Sequence, residues 1–157
     1  MPKFEFDQEL HVSVEGLWAA LKDSNRLFPQ IAPNFIASID HVAGVEGQPG
    51  AVRLIKFGPV SPKGTYVKEK TVSIDAANYT ITTAEIEGGH LAQGFRKWWP
   101  TMTLTTVGDK VLVEWTVSYE GGEDATEAII DQTKDGILHL FEVLQEHIVT
   151  SGDYPGP

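Results

Sequence analysis

Residues 111–149 read VLVEWTVSYEGGEDATEAIIDQTKDGILHLFEVLQEHIV and change their periodicity at the pair Gly121-Gly122. Before the pair, apolar side chains recur at every second position, which predicts a strand with one covered face. After it they recur every three or four residues over 125–149, and a helix of that length spans about 37 Å. Because such a helix is not stable alone in water, we expect it to lie on the covered face of a sheet.

The rest of the chain supplies that sheet. Two short helices follow the first strand, one over 14–21 with Ser13 as its N-cap and one over 26–31 that stops at Ala32-Pro33. Asp124 and Glu127 approximate a capping box before the long helix. No strand–helix–strand repeat occurs, so the fold class is α+β with an antiparallel sheet. The predicted strands cover residues 3–12, 35–42, 51–57, 65–74, 79–86, 95–106 and 111–119.

Two strands leave alternatives open. Pro100 interrupts its strand, which predicts a bulge or a locally unpaired position. The strand over 65–74 has two faces of similar polarity, so Glu69 is either an inward acid that needs a hydrogen-bond partner or a solvated surface residue. The same alternatives hold for Glu85 on the next strand.

Composition limits the functional classes. A chain of 157 residues suits one domain, for which we expect residues 1–150, followed by a mobile tail over 151–157. The net charge of −10 argues against nucleic acid as a partner. No apolar run is long enough to cross a membrane, and the charged N-terminal strand is no signal peptide. The lack of cysteine favours a cytoplasmic protein and excludes thiolate metal sites.

Residue spacing does not indicate catalysis. The five histidines lack metal-binding spacing, and no serine lies in a nucleophile-elbow motif, so we predict no metal site, no cofactor and no catalytic residue. The glycine-rich loop over 45–50 lacks the lysine and hydroxyl residue of a phosphate loop and lies between two strands, which favours a hairpin loop.

Several motifs in order resemble the major birch pollen allergen family, the plant pathogenesis-related proteins of class ten, within the steroidogenic-acute-regulatory-like lipid-transfer superfamily. They are NRLFPQIAP at 25–33, the glycine-rich loop, YVKEK at 66–70, IEGG at 86–89 and Phe141-Glu142. The resemblance implies a helix-grip fold: a curved seven-stranded antiparallel sheet around the long helix, with the two short helices as a V-shaped support. It also implies an internal cavity for amphipathic small molecules.

Carried over by position, the resemblance implies a ligand pocket in a monomeric carrier of a cytokinin-type hormone, a flavonoid or a sterol-like molecule, with a role in defence. Glu69 would accept hydrogen bonds from the ligand. The sequence departs from the family pattern at Val45, Arg53, Ile81, Thr83 and Pro100, which implies a reshaped pocket. The lining would comprise Leu21, Phe28, Ile36, Arg53, Phe57, Val67, Glu69, Ile81, Thr83, Trp98, Met102, Trp115, Val117, Thr133, Ile137 and Leu140.

Three other functions compete with this carrier. Some members of the family catalyse Pictet–Spengler condensations, for which Glu69, Glu85 and Arg53 are candidates, although no matching tyrosine–glutamate–lysine set is visible. A ribonuclease is disfavoured by the net charge of −10. A hormone receptor that docks onto a phosphatase is disfavoured because the gate-loop motifs of such receptors are not visible.

Overall fold

The computed structural model describes residues 2–60 and 66–155. It confirms the α+β class, with a seven-stranded antiparallel sheet in the order β1-β7-β6-β5-β4-β3-β2. The predicted start of the fourth strand at Thr65 lies outside the described residues. The elements are β1 Lys3–Leu10, α1 Val14–Lys22, α2 Ser24–Ile31, β2 Ile36–Ala43, β3 Val52–Phe57, β4 Tyr66–Asp75, β5 Thr80–Gly88, β6 Phe95–Val107, β7 Lys110–Gly121 and α3 Thr126–Ser151.

The sheet has one inner and one outer face, as the alternation predicts. On β6 and β7, the inward residues Met102 and Trp115 are register partners. On the outer face, hydroxyl pairs join β5 to β6, with Thr82 bonded to Thr101 at 2.8 Å. The inner face is therefore the apolar one, and α3 packs against it.

Pro100 pairs in register with Val117 of β7, and the bulge in this part of the sheet lies instead between Phe95 and Lys97. The register between β5 and β6 ends at Thr101, next to the proline. Pro100 thus has a register partner on β7 but none on β5. The missing partner on β5 agrees with the predicted unpaired position, because proline has no N–H to donate to a neighbouring strand. The bulge expected at Pro100 as the alternative is wrong.

The helix boundaries follow local hydrogen bonds. The Ser13 hydroxyl accepts from the main-chain N–H of Gly16 at 3.0 Å, which confirms the predicted N-cap of α1. The predicted capping box of α3 is wrong, because the helix begins at Thr126 and Ala125 occupies the N-cap position. Asp124 therefore lies one residue too early to cap the first turn.

The buried apolar side chains form two clusters. The larger lies between α1, α2, the inner face of the sheet and the C-terminal half of α3, where Phe141, Leu144 and Ile148 are buried. The smaller contains Phe95, Trp98, Val117 and Ile129, and lies at the N-terminal half of α3. The helix is thus held at both ends, and Ile137 and Leu140 in its middle turns pack against the larger cluster.

The chain after α3 contacts the two short helices. Tyr154 packs against the larger cluster, and its hydroxyl donates to the carboxylate of Asp23. Its carbonyl oxygen lies so close to Gly16 that a Cβ there would approach it to 2.5 Å. These contacts hold Tyr154 against α1 and α2, and the mobile tail over 151–157 stays a prediction.

Candidate functional site

An ion pair lies on the inner face where β3 and β4 are neighbours. Arg53 and Glu69 are register partners, and Arg53 Nε donates to Glu69 Oε1 at 2.7 Å. The side chains are 27% and 16% exposed. Arg53 Nη1 also donates to Ser24 Oγ at 2.9 Å and to Asn25 Oδ1 at 2.8 Å, both at the start of α2. The guanidinium therefore joins α2 to the sheet beside an acid of low exposure.

Glu69 keeps one oxygen available. Within residues 2–60 and 66–155, no hydrogen bond reaches Glu69 Oε2. The structure thus decides the alternative that the sequence left open: Glu69 faces inward, and Arg53 neutralises it. A carboxylate with one engaged and one available oxygen is suited to accept a hydrogen bond from a bound molecule.

A second acid lies opposite the first. Glu85 of β5 is the register partner of Glu69 and also points inward. Its Oε2 lies 2.7 Å from His90 Nδ1, and its Oε1 accepts the main-chain N–H of His90 at 2.7 Å. His90 Nε2 lies 2.8 Å from the hydroxyl of Thr133, so this network reaches α3. The side chains of Glu85 and His90 are 9% and 5% exposed.

Aromatic rings surround this network. The His90 ring stacks on Trp98 with a centroid separation of 3.6 Å and an interplanar angle of 4°. The ring of Phe95 meets the same imidazole edge-on, with a centroid separation of 6.0 Å. The network therefore lies against the smaller cluster, through the contacts of His90 with Phe95 and Trp98.

The glycine-rich loop is a hairpin loop, as predicted. It joins β2 to β3, and Gly44, Gly47 and Gly50 all have positive φ, a conformation that favours glycine. Asn25 Nδ2 donates to Glu46 Oε1 in this loop at 2.8 Å. Hydrogen bonds thus run from the loop through Asn25 and Arg53 to Glu69.

The residues predicted to line a pocket lie around the inner face and the helices that cover it. Seven of them are buried: Phe28, Ile36, Val67, Trp98, Met102, Val117 and Thr133. The others are half-buried: Leu21, Arg53, Phe57, Glu69, Ile81, Thr83, Trp115, Ile137 and Leu140. Trp98 and Val117 belong to the smaller cluster, and most of the other apolar members pack in or against the larger one.

Sequence reasoning missed His90, Ser24 and Asn25 as polar members of the site. The glycine that precedes His90 is a weak sequence signal for this site. Gly89 has φ +53°, and a Cβ there would come within 2.7 Å of Glu85 Oε1. A side chain at that position would push Glu85 away from the histidine, so the glycine and the network belong together.

The outer face offers a contrasting arrangement. The hydroxyl of Tyr66 donates to Glu87 at 2.9 Å, and this hydrogen bond raises the pKa of Tyr66. Lys68 lies 3.7 Å from the same carboxylate. An open depression lined by Leu54, Lys56, Tyr66 and Lys68 lies beside them. These groups are solvated, and we do not assign a site to them.

In the part of the chain that the structure describes, no cluster of three histidine or acidic side chains could hold a metal ion. Among the same residues, no helix is long and apolar enough to span a membrane.

Comparison with known proteins places this architecture in a family. Residues 1–151 match the model of the pathogenesis-related protein Bet v 1 family. MLP-like protein 423 of Arabidopsis thaliana is 31% identical over 149 residues, which cover 89% of this chain and 93% of the relative. Major strawberry allergen Fra a 1-C of Fragaria ananassa is 30% identical over 132 residues, which cover 83% of this chain and 82% of the relative.

Solved structures agree with the fold. The crystal structure of Ara h 8.0201 has a TM-score of 0.80 at 23% identity, covering 95% of this chain and 98% of that one. Norcoclaurine synthase from Thalictrum flavum, in complex with dopamine and hydroxybenzaldehyde, has a TM-score of 0.77 at 16% identity, covering 94% and 86%. At these identities, the likeness shows the fold alone. Together with the family match, it confirms the predicted resemblance: the chain belongs to the pathogenesis-related protein Bet v 1 family.

Proposed function

We propose that this protein binds a small amphipathic molecule between the inner face of the sheet and α3, and that Glu69 accepts a hydrogen bond from its polar end. The observation that carries the proposal is the state of Glu69. Its side chain is only 16% exposed, Arg53 engages Oε1, and within the described residues Oε2 receives no hydrogen bond. An inward acceptor in that state is suited to a ligand donor.

The apolar part of the ligand would lie along the half-buried inner side chains. Phe57 and Ile81 on the sheet and Ile137 and Leu140 on α3 pack against the larger cluster without being fully buried. Apolar side chains that face inward and yet keep exposed surface are typical of the walls of a binding site. Apolar contact would supply most of the affinity, and Glu69 would orient the ligand.

The ligand class follows from the combination of one acceptor, Glu69, with apolar walls. A flat, largely apolar molecule with an N–H or O–H donor at one end fits it, so we propose a cytokinin-type hormone or a flavonoid-like plant metabolite. A cytoplasmic carrier with a role in defence is part of the same proposal. The role in defence is supported by the family's description as pathogenesis-related.

Tryptophan fluorescence tests the proposal directly. Titration with an N6-substituted aminopurine and with a flavonoid should quench Trp98 and Trp115 saturably. Glu69→Gln should weaken binding of the aminopurine about 10- to 150-fold, because a hydrogen bond to a charged group contributes roughly 1.5–3 kcal/mol. Glu87→Gln is the matched control, since this acid lies on the outer face with its side chain 52% exposed. Equal affinity in wild type and Glu69→Gln would contradict the assigned role.

The alternative of a pocket enzyme draws support from the fold likeness to norcoclaurine synthase. In this chain, however, Glu85 accepts the main-chain N–H of His90 and lies 2.7 Å from its Nδ1, and Glu69 is paired with Arg53. Each acid thus already has a partner in the site, which disfavours its use as a general base. Incubation with dopamine and an aromatic aldehyde, followed by chromatography, separates the two functions: a carrier forms no condensation product, whereas an enzyme forms one that Glu69→Gln reduces.

A further inference from the structure

The imidazole of His90 has a hydrogen-bond partner at each ring nitrogen. Nδ1 lies 2.7 Å from Glu85 Oε2, and Nε2 lies 2.8 Å from the Thr133 hydroxyl. A neutral imidazole carries one proton, so one nitrogen donates and the other accepts; an imidazolium donates from both. The partners therefore decide which protonation state fits the site.

Both partners are arranged as acceptors. The Thr133 hydroxyl has one proton, and Oγ1 lies 2.8 Å from the carbonyl oxygen of Ile129, one turn earlier in α3, to which it donates. The same oxygen is then free to accept from Nε2–H. Glu85 Oε1 accepts the main-chain N–H of His90, which favours the ionised carboxylate. An ionised Glu85 requires Nδ1–H as the donor, so both ring nitrogens donate.

The surroundings of the ring are compatible with a positive charge. The face of Trp98 on β6 lies against the imidazole at 3.6 Å, and the face of an indole attracts a cation. On β4, Glu69 is the register partner of Glu85, and Arg53 pairs with it. Two acids of low exposure thus lie side by side on the inner face, and a positive charge on His90 offsets the charge of Glu85.

We propose that His90 is a positively charged positioning residue: its imidazolium neutralises Glu85 and links it to Thr133, which ties α3 to the sheet and leaves Glu69 as the acid that a ligand can reach. The N-terminal half of α3 has few buried apolar side chains, so a hydrogen bond to Thr133 contributes to holding this half on the sheet. The role of Glu69 toward a ligand rests on the proposed function, whereas the charge of His90 does not.

Nuclear magnetic resonance of protein labelled with ¹⁵N-histidine measures the charge. At pH 7 both His90 nitrogens should carry protons, with the signals assigned by their loss in His90→Gln. Glu85→Gln should convert His90 to a ring with one bare nitrogen at the same pH, because the carboxylate that holds the second proton is gone. His139→Gln is the control, since His139 is exposed on the same helix and should leave the His90 signals unchanged. One bare nitrogen on His90 in the wild type at pH 7 overturns the proposal.

The pH dependence of stability gives a second readout. If the folded state holds the proton more tightly than the unfolded chain, the stabilisation is full below about pH 6.5 and declines as the pH rises through the deprotonation of folded His90. The difference in unfolding free energy between wild type and His90→Gln should therefore shrink at alkaline pH. A difference that stays constant from pH 6 to 10 contradicts the charge.

Variants at Thr133 distinguish the hydrogen bond between His90 and Thr133 from the packing of the Thr133 side chain. Thr133→Val keeps the volume and removes the acceptor, so it should reproduce the alkaline behaviour of His90→Gln, whereas Thr133→Ser should behave as wild type. With the aminopurine as probe, Thr133→Val should lose about tenfold in affinity. If Thr133→Val and Thr133→Ser show the same pH dependence of stability, the hydrogen bond between His90 and Thr133 does not link α3 to the sheet. Failure of every variant, wild type included, to bind either the aminopurine or the flavonoid would refute the proposed function and leave the charge measurement intact.

Discussion

Removing the guanidinium of Arg53 should destabilise the protein by about 2–3 kcal/mol. Arg53→Met keeps most of the aliphatic stem but loses a charge-assisted hydrogen bond to Glu69 at 2.7 Å and two neutral-acceptor bonds to Ser24 and Asn25. A charge-assisted bond contributes roughly 1.5 kcal/mol at the lower end, and each neutral-acceptor bond roughly 0.5 kcal/mol. We use the lower values because the Arg53 side chain is 27% exposed and water screens it in part.

A double-mutant cycle isolates the pair. Glu69→Gln removes the need for a cation, so the double variant should be less destabilised than the sum of the two single variants, by about 1–1.5 kcal/mol. Urea unfolding followed by tryptophan fluorescence gives the four free energies. The control cycle uses Lys110→Met and Glu9→Gln, a cross-strand pair 3.0 Å apart whose side chains are 37% and 48% exposed, and it should couple by less than about 0.5 kcal/mol. Additivity at Arg53 and Glu69 within about 0.3 kcal/mol would refute the expected coupling between the two side chains.

Other expected outcomes concern two glycines and one acid. Gly136→Ala should stabilise the protein by about 0.5–1 kcal/mol in urea unfolding, because a Cβ there meets nothing within 4 Å in the interior of α3. Gly16→Ala should displace Tyr154, whose carbonyl oxygen lies 2.5 Å from the new Cβ, and limited proteolysis should then cut the C-terminal residues faster. Arg26, and then Tyr154, donate to Asp23 and lower its pKa. The stabilisation from Asp23 is present above its ordinary pKa and is lost as the pH falls through the lowered one. The stability difference between wild type and Asp23→Asn should vanish over that acidic range.

Local sequence determines most of the fold. Alternation in the strand at 111–119 and helical periodicity over 125–149 predict β7 and α3 within two residues of their observed ends. The physical reason is that each pattern separates an apolar from a polar side with the period of one type of backbone, so burial selects the same element that the pattern predicts. The start of α3 differs by one residue: the helix begins at Thr126, so Asp124 lies one position too far from it to act as the N-cap.

The polar site depended on tertiary structure. The face of Glu69 was undecided, since the two faces of its strand have similar polarity, and only pairing with β3 and β5 places it between Arg53 and Glu85. His90 shows no spacing relation to Thr133, 43 residues later, and the two meet because α3 crosses the inner face of the sheet. The spacing of apolar residues indicates which side of an element avoids water. The sequence by itself therefore determined the strands, the helices and the covered faces. Which polar groups share that covered space depends on register and helix placement, and only the tertiary structure decided it.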